Sequence, residues 1–393
     1  MASLCATVRM RLSHIRICNE VCMKRVGSEF IVRVSNSSRR PTTVGGSLVF
    51  KHVGIPTYHQ ERTRPYSTVK RSRSTPKRKI KEPLMVRILP KNLRPYGYLA
   101  RIDKPIGTSL LLWPCLWSSA LAAAQDSGGW DAIPFLPDPK LMALFTVGSF
   151  VMRGAGCTVN DMWDKEFDKS VERTKTRPLA CGDLTMTQAT MFLAAQLTTG
   201  LGVLLSLPHL DYCFKLGAAS LPLVIAYPLM KRYTNWPQLV LGMTFNWGAL
   251  MGWAATHGTL DLNAVLPLYI SGVCWTIVYD TLYAHQDKVD DAKLGLKSTA
   301  LFFGDNTKPI LHGFAAFTLA GWSLAGYGAG YTDAVYYVGC TLGYSHLVWQ
   351  IQTADLHDSE NLAYRFKSNN QVGAIIFASC VAGSAAAISI PVT

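Results

Sequence analysis

From Ile106 onward the chain alternates between apolar stretches of about twenty residues and short polar connections. A helix needs roughly 20 apolar residues to cross the hydrocarbon core of a bilayer. The pattern therefore predicts nine transmembrane helices, at 106–124, 140–159, 187–207, 213–230, 238–257, 264–282, 310–330, 333–352 and 371–390. Gly and Pro interrupt several stretches, which membrane helices tolerate because their neighbours satisfy the freed backbone groups. The alternation typical of barrel strands is missing. The expected fold class is all-α: a polytopic bundle of nine spans, with two Asp-rich helix ends facing a central cavity.

Charge divides the chain in two. Lys and Arg number 39 against 25 Asp and Glu, a net of +14. Residues 1–80 hold 17 of the bases and three acids, and residues 81–393 hold 22 of each sign. A basic leader thus precedes a neutral, apolar body, which excludes a nucleic-acid protein, since that class needs a basic face on its folded part. The leader is rich in Arg and Ser and has no Asp, the composition of an organellar transit peptide. Leu4, Val8, Leu12 and Ile15 fall on one helical stripe. Arg64-Pro65-Tyr66-Ser67 resembles the site at which mitochondrial presequences are cut. The expected organisation is a transit peptide at 1–66, a basic linker at 67–95 and a membrane domain at 96–393. The ten cysteines form no C-x-x-C and no zinc-like spacing, so they read as packing residues.

Within the body, bases collect in alternate connections. Arg94, Arg101, Lys104, Lys165, Lys169, Arg173, Lys175, Arg177, Lys231, Arg232, Lys288, Lys293, Lys297, Arg365 and Lys367 share one side, and the opposite connections offer almost none. By the positive-inside rule this side is the matrix face of the mitochondrial inner membrane.

That side also carries the chemistry. The second span runs into Asn160-Asp161-Met162-Trp163-Asp164-Lys165-Glu166-Phe167-Asp168, and in a continuous helix Asn160, Asp161, Asp164 and Asp168 fall within an arc of about 100°. The sixth ends on Asp280 and continues through Asp287, Asp290 and Asp291; Asp280, Asp287 and Asp291 fall within about 40° while Asp290 points away. Asp164/Asp168 and Asp287/Asp291 repeat an i, i+4 spacing, which hints at an internal duplication. Clustered carboxylates repel unless cations sit among them, and this donor set suits Mg²⁺, a hard ion that takes one or two carboxylates, water and a phosphate. A solvated acidic helix end explains either cluster alone but not the pair.

Bases that complement a bridged anion lie close by. Arg153 sits inside the apolar part of the second span, nearly two turns before Asn160 and on nearly the same face. An intramembrane Arg is costly and functional by default, although pairing with an acid of the sixth span also accounts for it. With Arg173, Lys175, Arg177, Lys231 and Arg232 the constellation reads as a diphosphate site. A diphosphate at the mouth of a membrane bundle implies an apolar tail inside it, as in a prenyl diphosphate. Neutralising the leaving diphosphate favours breakage of the C1–O bond, and the allylic cation must be kept from water.

These stretches resemble the two Asp-rich signatures of the intramembrane aromatic prenyltransferases. The ubiquinone branch is the nearest, on Arg101-Ile102-Asp103-Lys104-Pro105-Ile106-Gly107, Met152-Arg153-Gly154-Ala155-Gly156-Cys157, Arg173-Thr174 with Arg177-Pro178-Leu179, Tyr227-Pro228-Leu229-Met230-Lys231-Arg232 and Gly295-Leu296-Lys297-Ser298-Thr299-Ala300. The resemblance covers about residues 95–370. It implies transfer of an all-trans polyprenyl group from its diphosphate to C3 of 4-hydroxybenzoate, with two Mg²⁺ bridging the diphosphate, and membrane lipid and other ubiquinone-biosynthesis proteins as surroundings. Carried over by motif, Asn160, Asp164, Asp287 and Asp291 are metal ligands, supported by Asp161 and Asp168. Arg153, Arg177 and Lys231 hold diphosphate, and Arg232 takes the benzoate carboxylate. Asp164, Asp287 and Asp291 count as catalytic, Asp287 also orienting or deprotonating the phenol. Tyr283, with Tyr279, either shields a carbocation with its ring face or simply packs. Asn246, His257 and His285 read as interhelical hydrogen bonders.

Three rival readings fit parts of this pattern. Another prenyltransferase of the superfamily, acting on haem or a different aromatic acid, would differ only in acceptor. A carrier also has paired halves and buried charge, but would place its acids at the midplane and release no diphosphate. A scaffold would survive Asp164→Ala.

Overall fold

The computed structural model describes residues 4–12, 15–26, 29–36, 83–125, 129–171 and 174–389, the first three ranges as backbone only. The chain divides into two units, residues 1–78 and 79–393. In the first, β1 (Leu4–Leu12), β2 (Ile15–Val26) and β3 (Glu29–Asn36) form an antiparallel sheet in the order β1-β2-β3. The helical stripe expected at Leu4–Ile15 is therefore not formed. Val8, Met10 and Leu12 alternate with Arg9 and Arg11, so the segment satisfies a two-residue period as well. The expected cleavage site at Arg64–Ser67 and the base Arg173 lie outside the described residues.

The second unit is all-α. Two short helices, α1 (Leu84–Arg87) and α2 (Arg94–Leu99), lead into α3 (Ile106–Ala122) and α4 (Pro139–Trp163). One-turn helices α5 (Lys165–Asp168) and α6 (Pro178–Cys181) precede α7 (Met186–Leu205) and α8 (Leu210–Ala226). After a 3₁₀ turn come α9 (Met230–Tyr233), α10 (Pro237–Phe245), α11 (Gly248–His257) and α12 (Leu262–Ala284). The chain closes with α13 (Lys288–Lys293), α14 (Thr299–Phe303), α15 (Thr307–Gly328), α16 (Ala334–Thr353) and α17 (Ser359–Ser389). Among the described residues, five helical stretches are long and apolar enough to cross a membrane: Pro139–Trp163, Met186–Leu205, Leu210–Tyr233, Leu262–Lys293 and Ser359–Ala387. The other expected spans are helical too, α3 being a shorter apolar helix.

Two boundaries depart from the hydropathy pattern. The stretch 238–257 is broken at Asn246, which leaves the helix at φ −88°, ψ 4°. Its Nδ2 donates to the Gly242 carbonyl (2.8 Å) and to Thr276 Oγ1 of α12 (2.9 Å), so the freed end is satisfied from inside the bundle. The last helix starts at Ser359, twelve residues before the expected 371, because its first turns are polar and invisible to a hydrophobicity criterion.

The core is built around α12, which packs against α3, α10, α15 and α17. Trp117, Trp275 and Trp322 are fully buried and meet with ring centroids 5.1 and 6.1 Å apart. Without a water-driven force between helices in lipid, close approach depends on small residues. Gly252 of α11 is one: a Cβ there would run into the Cys115 carbonyl and Ser118 of α3.

Candidate active site

The helix α4 begins well specified: Pro139 occupies its first position, and the Asp138 carboxylate accepts from the Lys140 amide at 2.8 Å. Its end is where the site forms. Asp164 leaves the helix at φ −96°, ψ 11°, and the single turn α5 follows. The second acidic stretch repeats this. After α12 and a 3₁₀ turn, Asp287 sits at φ −102°, ψ 1°, and α13 follows. Four residues beyond each break comes a buried acid, Asp168 and Asp291. The shared backbone extends the i, i+4 repeat from sequence into structure.

The break sorts the first cluster into two sets. Asp161, 1% exposed, and Asp168 turn toward two arginines. Arg101 Nη2 reaches both oxygens of Asp161, at 2.7 and 2.8 Å, while its Nη1 donates to the Tyr98 carbonyl at 2.8 Å. Arg177 Nη1 is shared between Asp161 (3.0 Å) and Asp168 (2.8 Å). Arg101 holds a left-handed backbone, φ +57°, to make this contact. The four charges cancel, and charge-assisted hydrogen bonds of this geometry are the strong ones. In this structure Asp161 and Asp168, expected to support or join the metal ligands, pair with guanidinium groups, and Arg177, expected on diphosphate, pairs with the same two acids. A helical projection does not show this, because Arg101 and Arg177 come from outside α4.

Asn160 and Asp164 form the second set, at the rim. The Arg232 Nη2 approaches Asp164 Oδ1 at 3.4 Å, a loose contact, and the guanidinium lies over the Phe167 ring at 5.3 Å. Half-burial raises the Asp164 carboxyl from its ordinary value, against the pull of Lys231, Arg232 and Arg177. Asp168 is raised likewise by burial, against Arg177.

The second cluster meets the first through α9. The Lys297 amide donates to the Lys231 carbonyl at 2.7 Å and Lys297 Nζ to the Tyr233 carbonyl at 3.2 Å, fastening the loop after α13 to the Lys231–Arg232 turn. Lys231 and Arg153 both lie within electrostatic reach of Asp280, as does Asp287. Tyr227 is in the same reach of Asp280, Arg153 and Asp164. The ends of α4, α8 and α12 thus share one polar space. Asp290 pairs with Lys293 in solvent (3.3 Å), whereas Asp291 is buried, in line with the helical phase expected of them.

Arg153 sits deeper. Its Nε is buried without a hydrogen-bond partner, and its guanidinium lies over Phe245 at 5.6 Å. Gly107 makes the room: a Cβ there would overlap the guanidinium. Tyr283 packs on Phe366 of α17 with centroids 4.4 Å apart, and Tyr279 meets the same ring at 5.6 Å. Sequence reasoning missed Phe366, which stands in the polar first turns of α17. Arg101 stands in the sequence as a base and a motif residue, and nothing there points to its partner Asp161. His257 and His285 hydrogen-bond the Ala122 carbonyl (3.0 Å) and Thr307 (3.1 Å), in keeping with a structural part.

Among the described residues, no three Asp, Glu, His or Cys side chains stand close enough to hold a metal by themselves. The donors instead fall in two sets, Asn160 with Asp164 and Asp287 with Asp291, on a polar space that Lys231 and Arg153 share. That arrangement fits Mg²⁺ bridged by an anion, since Mg²⁺ keeps most of its shell for water and phosphate.

The chain belongs to the UbiA prenyltransferase family, whose model matches residues 111–388. A relative in Drosophila melanogaster, named 4-hydroxybenzoate polyprenyltransferase, mitochondrial, is 51% identical over 324 residues, 82% of this chain and 80% of its own. The fold matches the apo structure of a UbiA homolog from Aeropyrum pernix K1 with a TM-score of 0.58 at 22% identity, over 70% of this chain and 97% of that one. A UbiA homolog from Archaeoglobus fulgidus, bound to GPP and Mg²⁺, matches with a TM-score of 0.50 at 16% identity, over 75% and 100% of the two chains.

Proposed function

We propose that this chain is a mitochondrial membrane enzyme that transfers a polyprenyl group from its diphosphate to C3 of 4-hydroxybenzoate, releasing diphosphate, in ubiquinone biosynthesis. The observation that carries the reading is the pair of matching breaks at Asp164 and Asp287, which open two acidic helix ends onto one space lined by Arg153 and Lys231. The names of relatives about half identical to it agree, and the ligands of the Archaeoglobus homolog are of the required class.

Asn160, Asp164, Asp287 and Asp291 would hold Mg²⁺, most simply two ions, which supplies charge neutralisation for the departing diphosphate. Lys231 and Arg232 line the rim and bind the diphosphate oxygens. The C1–O bond breaks with its electron pair going to the diphosphate; ring carbon C3 then forms the new bond to C1, and loss of the C3 proton restores aromaticity. C1 lies inward of the diphosphate, so the acceptor ring lies inward too. This exchanges two sequence-based roles. Arg153, half-buried and seven residues or roughly 10 Å before Asn160 along the helix, suits the benzoate carboxylate, and Arg232, at the exposed rim beside Asp164, suits diphosphate. Tyr283, backed by Phe366, supports the acceptor and faces the cation. The nine helical stretches are taken as spans, with residues 1–66 as a transit peptide and the acids on the matrix side of the inner membrane.

Membranes carrying the chain, given 4-hydroxybenzoate, a polyprenyl diphosphate and Mg²⁺, should form 3-polyprenyl-4-hydroxybenzoate. Chelator, Asp164→Ala or Asp287→Ala should abolish it. An intact protein that prenylates only another acceptor would overturn the substrate, and diphosphate never released would overturn the reaction.

A further inference from the structure

The stretch before the first span carries a surface that the reaction does not use. Leu84, Met85, Ile88 and Leu93 are exposed, Leu84 by 62% and Ile88 by 71%, although none belongs to a membrane-crossing helix. They do not dangle. Val86, between them, is fully buried. Arg94 of α2 donates from Nε to the Leu89 carbonyl (3.3 Å) and from Nη2 to the Arg87 carbonyl (3.2 Å). Leu89 also packs onto Gly97, where a Cβ would collide with it. A fixed backbone therefore presents apolar side chains outward, and exposed Arg87 and Lys91 stand among them. The sequence just upstream adds Lys70, Arg71, Arg73, Lys77, Arg78, Lys79 and Lys81 before its first acid, Glu82.

We propose that residues 84–93 dock on the surface of an anionic phospholipid leaflet. The apolar side chains enter the acyl boundary, and Arg87 and Lys91 meet lipid phosphates. Apolar groups interleaved with bases are the signature of interfacial binding, and basic segments beside a span are drawn to anionic headgroups. The charge favours this occupant over a protein: four apolar side chains in ten residues make a small patch, and its cations match phosphates. The location gives it a consequence. The helix α2 packs on α4 and α6, and its Tyr98 carbonyl holds Arg101, which grips Asp161 next to Asn160. Lipid binding thereby steadies the brace behind the first acidic end.

The test places the full chain in nanodiscs of phosphatidylcholine alone or with phosphatidylglycerol and follows amide exchange over residues 84–94. The anionic lipid should slow exchange there several-fold, and Arg87→Glu with Lys91→Glu should remove that difference while leaving turnover in phosphatidylcholine unchanged. Ile88→Ser, which keeps the bases, should weaken protection in both lipids. Equal exchange in the two lipids, or a difference that survives charge reversal, would overturn the proposal. So would protection appearing only when another membrane protein is retained, which would assign the patch to a protein partner.

Discussion

At Asp164 and Asp287 the chain turns out of a helix with nearly the same backbone angles, yet the structure behind each turn is of a different kind. Behind Asp164 stands a charged frame, in which Arg101 and Arg177 clamp Asp161 and Asp168. Behind Asp287 stands a neutral one: Thr281 hydrogen-bonds Thr299 (2.6 Å), the Thr299 amide donates to Gln238 Oε1 (3.1 Å), and His285 meets Thr307. The second end grows from the most enclosed span and can be held by hydrogen bonds within the core. The first grows from a helix nearer the bundle edge, and its support must come from segments well before and after it in sequence. The same backbone turn is supported by two frames of different chemistry.

Substitutions should expose that difference, most strongly in the charged frame. Arg101→Ala strips a buried acid of its main partner, a change that costs about 3 kcal/mol. Thermal unfolding in detergent should show it even without Mg²⁺, and Asp161→Asn in the same chain should recover much of the loss. A loss no larger than that of a threonine substitution would erase the contrast. Next in size is a test of depth. Arg153→Ala should raise KM for 4-hydroxybenzoate about tenfold or more, the loss of a charge-assisted hydrogen bond of about 1.5 kcal/mol, and leave KM for the diphosphate nearly unchanged; Arg232→Ala should do the reverse. Equal effects on both substrates would remove the proposed layering.

The neutral frame should respond more mildly. Thr299→Val keeps shape and removes one side-chain hydrogen bond, for about 1 kcal/mol, read as a small drop in melting temperature. The least effect concerns pH. Half-burial raises the Asp164 carboxyl, so it takes up a proton at higher pH than an ordinary aspartate. Mg²⁺ needs the carboxylate, so the Mg²⁺ concentration for half-maximal turnover should rise as pH falls through that raised range, and excess Mg²⁺ should restore the rate. A requirement independent of pH would deny Asp164 its place beside the metal.

Much of this was legible in the sequence for a simple reason. Bilayer thickness imposes a length on apolar runs, so each expected span coincides with a helix or, at Asn246, with a broken pair. The acids were legible through their spacing. The division of labour among them was not, because helical phase describes one element and the brace joins four. Spacing groups Asp161 with the other acids, and only the fold brings Arg101, sixty residues earlier, beside it. Phe366 was hidden for a different reason: hydropathy reports the solvent around a segment, and the polar turns of α17 were therefore passed over.

The left-handed backbone of Arg101 also bears on the order in which the polypeptide is assembled. An L-residue occupies that region at a cost, and the contact that compensates for it comes from α4. During synthesis the Arg101 turn is made first and Asp161 follows sixty residues later. Ribosome-bound chains ending before Asp161 should thus show residues 94–104 open to protease, and chains long enough to carry Asp161 and Arg177 clear of the exit tunnel should show them closed. Protection in the shorter chains would contradict this sequence of events. The Arg101 turn thus waits for a partner made sixty residues later before it can settle.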